Sequence, residues 1–127
     1  MSNVFETARI ALAAQIADTT KYSTFHYPQP IPQAMSVQIA PETNYISWTN
    51  QKSSQTARMR VRLEIFTPIW DNQGNFAQIE TIAIAVRDAI IDTTQNCGDL
   101  TDVRPVSFET GDLLTAYLPV EILVNGS

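Results

Sequence analysis

Residues 58–66 read RMRVRLEIF, and this run decides the fold class. Met59, Val61, Leu63 and Ile65 alternate with Arg58, Arg60, Arg62 and Glu64. Side chains along a strand point to opposite faces with a period of two, so the alternation predicts a strand with one apolar face and one charged ladder. The apolar face needs cover, and the next segments supply it. Residues 67–75 (TPIWDNQGN) are turn-like, with Pro68, Asp71-Asn72 and Gly74. A helix is predicted after them, with Ile79, Ile82, Ala83, Val86 and Ile90 in one stripe. Ala77, Ile84 and Ile91 form a second set off that stripe, at seven-residue spacing. A helix apolar on more than one side is covered by more than one neighbour: a second layer of its own domain, or a partner subunit.

Upstream, Val4, Phe5, Ala8, Leu12 and Ile16 follow helical spacing in an alanine-rich segment. Ser2 or Asn3 caps this helix, with Glu6 three residues after Asn3 as a capping-box partner. Tyr22–Tyr27 is short and extended, and it runs into Pro28, Pro30 and Pro32, a non-helical connector. Met35–Ile39 alternates as a strand. Residues 40–56 are polar apart from Tyr45, Ile46 and Trp48, and they read as a long loop of the kind that carries function. Downstream, residues 93–99 read as a loop with Gly98 as a cap or turn glycine. Two strands close the chain, Val103–Glu109 and Leu114–Val124. In the second, Leu118, Val120, Ile122 and Val124 share a face; Tyr117, Pro119 and Glu121 take the other. Pro119 has no N–H and so belongs at an edge or bulge, or with its nitrogen turned from any partner. The order α-β-β-β-α-β-β predicts an α+β fold: a mostly antiparallel sheet of four to five strands with two helices on one face. Residues 1–127 form one domain, with no internal repeat or linker.

The 127 residues carry eight basic and thirteen acidic side chains, a formal charge of -5 that excludes a general nucleic-acid binder. The charge is segregated. Residues 52–62 hold four basic residues and no acid, whereas residues 64–121 hold ten acids and two bases. Identical copies meeting basic face to acidic face would use such a split. No apolar run approaches the roughly 18 residues that span a bilayer, and the N-terminal residues lack the pattern of a signal peptide.

Catalytic equipment is sparse. His26 is the one imidazole and Cys97 the one thiol, which excludes an intrachain disulfide and a multi-histidine metal centre. A nucleophilic Cys97 would need His26 as its base. Asp99 with Asp102, and Asp88 with Asp92, are spaced as paired carboxylates but read as solvated acids. No phosphate-cradle, dinucleotide, nucleophile-elbow or zinc-helix motif is present, so neither catalysis nor a cofactor or metal is expected. Arg58, Arg60 and Arg62 have only Lys52 nearby to support a grip on phosphates. Their guanidinium forks suit carboxylates of an adjacent subunit, with Asp88 and Asp92 as candidates. Tyr45, Trp48 and Trp70 are aromatic candidates for loop contacts to a partner.

The succession of an alanine-rich helix, a proline-rich segment, a long polar loop, RMRVRLEIF, the helix FAQIETIAIAVRDAI and a last hairpin ending AYLPVEILV resembles tail terminator (tail completion) proteins of long-tailed bacteriophages. That resemblance implies a non-enzymatic virion protein at the head-proximal end of the tail, assembled in the host cytoplasm. It implies a homo-oligomer, a hexameric ring, that caps the tail tube, stops its polymerisation and offers a surface to the head-side connector or neck protein. DNA passes through the lumen without specific binding, for which an acidic wall is suited. Residues 40–56 correspond to the family's long loop, which orders on assembly. A head-closure or neck component is the near alternative; a small hydrolase or ligand-binding domain is the distant one.

Overall fold

The computed structural model describes residues 3–18, 22–48, 56–68, 72–90, 95–108 and 111–125. Along these the chain runs α1 (Val4–Ile16), β1 (Ser23–Phe25), β2 (Ser36–Trp48), β3 (Thr56–Pro68), α2 (Asn72–Ala89), β4 (Gln95–Cys97), β5 (Thr101–Phe108) and β6 (Gly111–Asn125). β3 contains the alternating run, and its apolar residues Met59, Val61, Leu63 and Ile65 are wholly buried. It pairs antiparallel with β6 in one unbroken register from Thr56↔Asn125 to Pro68↔Leu113. That register places Leu114, Ala116, Leu118, Val120, Ile122 and Val124 on the same side, all buried. Leu12 and Ile16 of α1 and Ile79, Ile82, Ala83 and Val86 of α2 close over them in a single core. Both helices therefore lie on one face of the sheet, and the fold is α+β as expected. Each fully buried aliphatic side chain contributes roughly 1.5–3 kcal/mol, so this one seam supplies much of the stability.

The sheet order is β1-β2-β3-β6-β4, with β5 also on β6. It has six strands rather than four or five, because the loop expected at residues 93–99 contains β4, three residues paired to Val120–Ile122. β4 and β5 both lie antiparallel on β6 and form one interrupted strand. The interruption is at Gly98, whose N–H donates to the Pro119 carbonyl at 2.7 Å. A strand residue's N–H and C=O point to the same side, so the missing Pro119 donor faces this break, not β3. Gly98 is thus neither helix cap nor turn glycine; it gives the closeness that Pro119 requires.

The larger difference concerns residues 40–56. β2 does not stop at Ile39 but runs to Trp48, and only residues 49–55 of the expected loop lie outside the described ones. β3 is long enough to hold it: pairing runs from Ser36↔Phe66 to Pro41↔Val61, slips, and resumes from Ile46↔Met59 to Trp48↔Ala57. Polarity misleads here because the slip holds Glu42, Thr43 and Asn44, with Asn44 at φ 55. A proline and a bulge with a positive-φ residue also mark β5, in Pro105 and in Asp102 at φ 61. The edge of β2 that β1 leaves open, and that of β5, are thereby poor templates for an added strand.

Local devices complete the frame. Asn3 caps α1, its Oδ1 accepting the Glu6 N–H at 2.8 Å. The Gln15 and Gln95 side-chain amides donate to each other at 2.8 and 2.9 Å, and Gln15 Nε2 also reaches the Ala89 carbonyl at 2.7 Å. One glutamine so ties α1, the end of α2 and β4. Tyr22 is buried, its hydroxyl donating to the Ile16 carbonyl. The proline-rich connector is held over the outer sheet face: the Gln29 N–H donates to Gln38 Oε1, and Gln38 Nε2 donates to Glu64.

Two tests follow from this packing. A Cβ on Gly98 would sit 2.8 Å from Pro119 Cγ. Gly98→Ala should therefore cost about 1–3 kcal/mol in urea unfolding, and clearly less in a Pro119→Ala background; equal costs would exclude the contact as the cause. Burial, and secondarily Asp18, push the Tyr22 hydroxyl above the ordinary tyrosine value of 10.0. The folded chain keeps this proton to higher pH than the unfolded chain. Its contribution is thus full below pH 10 and is lost as pH rises towards the folded value. Tyr22→Phe should flatten the fall in stability above that pH.

Candidate functional site

The charged face of β3 looks away from the helices. The register sets Arg58 opposite Leu123, Arg60 opposite Glu121 and Glu64 opposite Tyr117 on β6. Directly opposed residues on one face interact, and the arginines find acids of their own chain here. Arg60 Nε donates to Glu121 at 3.2 Å, and Arg58 lies 3.7 Å from the same carboxylate. Arg62 Nε pairs with Glu42 at 3.4 Å while its guanidinium carbon sits 3.9 Å above the Tyr117 ring. Burial works against the Arg62 charge, but Glu42 and then Tyr117 more than offset it, so its pKa is raised.

Arg60 has a second task. Its Nη1 donates to the Asn44 carbonyl at 3.1 Å and to Ser47 Oγ at 2.7 Å, clamping the β2 bulge. The row is therefore not bare. Glu42 and Glu121 are its ion-pair partners within the chain. The alternation along 117–124 turns Glu121 outward, whereas the polarity of residues 40–56 hides the strand that carries Glu42. Arg60 and Arg62 are engaged on two sides. Arg58, its side chain 57 % exposed, shares one carboxylate with Arg60 and holds the most free charge.

The other expected contacts fall elsewhere. Asp88 is exposed on α2, in the helix layer, away from the arginine row. Asp92 and Trp70 lie outside the described residues. Trp48 is 68 % exposed at the end of β2, with its ring edge-to-face on Phe5 at 5.5 Å. Tyr45 is half-buried in the β2 slip, packed against the core. Of the second apolar set of α2, Ala77 is exposed and Ile84 is 58 % exposed, while Ile91 lies outside the described residues. Phe76 is exposed on the same helix.

The chemistry of a Cys–His pair is not assembled. His26 follows β1 and Cys97 ends β4, the two outermost strands of the pairing order. The His26 ring packs on Tyr27 at 4.8 Å, while Cys97 Sγ donates to the Gly98 carbonyl. Burial raises the Cys97 pKa, Arg87 lowers it less and Asp99 adds to the rise, which favours thiol over thiolate. Asp102 pairs with Arg104 at 3.2 Å. Among the described residues no group of three or more His, Cys, Asp or Glu is placed to hold a metal ion, and no helix is long and apolar enough to cross a membrane.

No protein-family model matches the chain, and no curated protein matches it in sequence. Among solved structures the fold is similar to that of a chain from the virion of a native gene transfer agent particle, with a TM-score of 0.53 and 15 % identity. The likeness covers 95 % of this chain and 92 % of that one, and at this identity it is a likeness of fold.

Arg62→Lys keeps the charge but loses the planar stack on Tyr117 and the fork towards Glu42. It should cost about 1 kcal/mol in chemical denaturation, with most of that cost gone in a Tyr117→Leu background.

Proposed function

We propose that this chain is a structural protein of a phage-like virion, acting as a tail terminator. Copies form a ring, most simply a hexamer, that caps the tail tube, stops its polymerisation and presents a joining surface to the head-side connector. The observation that carries the reading is the end-to-end likeness of fold to a virion-particle chain, across nearly the whole of both proteins. Two further observations support assembly. Ile84 on the second α2 stripe is 58 % exposed among the described residues, and exposed apolar stripes of this kind mark protein contacts. The edge of β2 beyond β1 and that of β5 are blunted, which favours contacts through faces over strand addition there. An overall charge of -5 suits a passage that DNA traverses without being held.

In this reading Arg58, Arg60, Arg62, Asp88 and Asp92 lie at or near subunit contacts, with Arg58 and Asp88 the freest of the described ones. Tyr45, Trp48 and Trp70 contribute to contacts with the tube or a neighbour. Because Arg60 also clamps the β2 bulge, reversing its charge disturbs the fold as well as any interface.

Electron microscopy of tail-tube protein assembled with and without this chain tests the proposal. Tubes should become shorter and carry a ring at one end. Unaltered tube growth together with binding to the connector would make the chain a neck component instead. Trp48→Ala removes an aromatic that touches its own chain on one edge; it should leave stability within about 1 kcal/mol and weaken capping.

A further inference from the structure

Two exposed surfaces on opposite layers of the domain have matching chemistry. The first is on the outer sheet face, where Arg58 and Leu123 are directly opposed across β3 and β6. Leu123 is 43 % exposed, and Arg58 shares the Glu121 carboxylate with Arg60, so one apolar side chain stands beside an under-neutralised cation. The second is on α2, where Glu80, Ile84 and Asp88 follow one another at four-residue spacing and share a face. All three are exposed, and Glu80 and Asp88 form no ion pair among the described residues. Ile84 borders a groove of 370 Å³ between α2 and the β4–β5 break, lined by the apolar Ala83, Leu100 and Leu118 and by two acids, Glu80 and Asp99, against one cation, Arg87.

These surfaces cannot meet within one molecule, because the whole core separates the outer sheet face from α2. Resting on the ring reading above, we infer that they meet between copies: Leu123 of one copy packs on Ile84 and its groove in the next, and Arg58 sits between Glu80 and Asp88. The occupant is a second copy of this chain because each surface supplies what the other lacks, an acid pair for a cation and a groove for a protruding leucine. A contact between two different patches is heterologous and leaves each copy with one free patch of each kind. It therefore propagates and can close into a ring. Arg58 is thereby separated from Arg60 and Arg62, which are spent on their own chain.

Cysteine cross-linking tests the pairing in a Cys97→Ser background. Ile84→Cys and Leu123→Cys proteins, mixed and oxidised, should give a disulfide dimer that neither forms alone, and the variant carrying both cysteines should give a ladder. Self-cross-linking of either single variant with none in the mixture overturns the inference, as does a chain that stays monomeric in sedimentation at every attainable concentration. Arg58→Glu should weaken association about tenfold, with recovery on adding Glu80→Arg. Ile84→Asp should weaken it about thirtyfold. These surface variants should keep the native circular dichroism. Association lost in Arg58→Glu without recovery by Glu80→Arg excludes the stated pair. Cross-links without tube capping would sink the terminator reading and leave this contact standing; normal capping without cross-links would do the reverse.

Discussion

The pairing of β3 with β6 is the constraint on which the rest of the structure depends. Thirteen consecutive residues of each strand face one another with no slip. Since side chains alternate along a strand, sliding β6 by one residue along β3 would turn Val120 outward and carry Glu121 into the core. Burial of an unpaired charge is far costlier than any gain from a shifted ladder. The seam therefore has one workable alignment. Other elements adapt to it: β2 slips by several residues along β3, and β4–β5 breaks at Gly98 and slips again at Asp102 along β6.

That alignment also decides the electrostatics of the outer face. It brings Glu121 beside Arg58 and Arg60, and Tyr117 beneath Arg62, while the β2 bulge swings Glu42 and the Asn44 carbonyl into reach. Ion pairs whose side chains keep 23 to 57 % of their surface in water contribute little each. Their larger effect is on placement, since they fix a bulge and leave Arg58 the most exposed arginine of the row. A stretch that is uniformly basic in sequence becomes a nearly balanced face in the fold. What remains uncovered among the described residues is Ile84 with its flanking acids on α2, Leu123 with Arg58 on the sheet, and Trp48 at the end of β2.

Much of the architecture was legible in the residues. The period of two in 58–66 and 114–124, the helical stripes through Leu12, Ile16, Ile79, Ile82 and Val86, and the capping asparagine all act over a few residues. The doubly apolar character of α2 was legible as well, although the choice between a second layer and a partner was not. Ile84, on the second stripe, stands 58 % exposed among the described residues. The misreadings share one cause. Polarity at 42–44 and at 95–97 resembles loop chemistry, whereas a long partner strand can hold a polar segment in a ladder by cross-strand bonds that local composition does not register.

The sequence by itself determined which faces are apolar, where the chain turns, that charge is segregated, and that His26 and Cys97 are the only imidazole and thiol. Tertiary structure alone decided who meets whom. Arg60 and Glu121 are 61 residues apart, and Gln15 and Gln95 are 80 apart. Periodicity is a property of neighbours along the chain, so it can be read from a string of letters. Register is set by the whole buried seam at once, and only the folded sheet shows which charges are paired within the chain and which stay exposed.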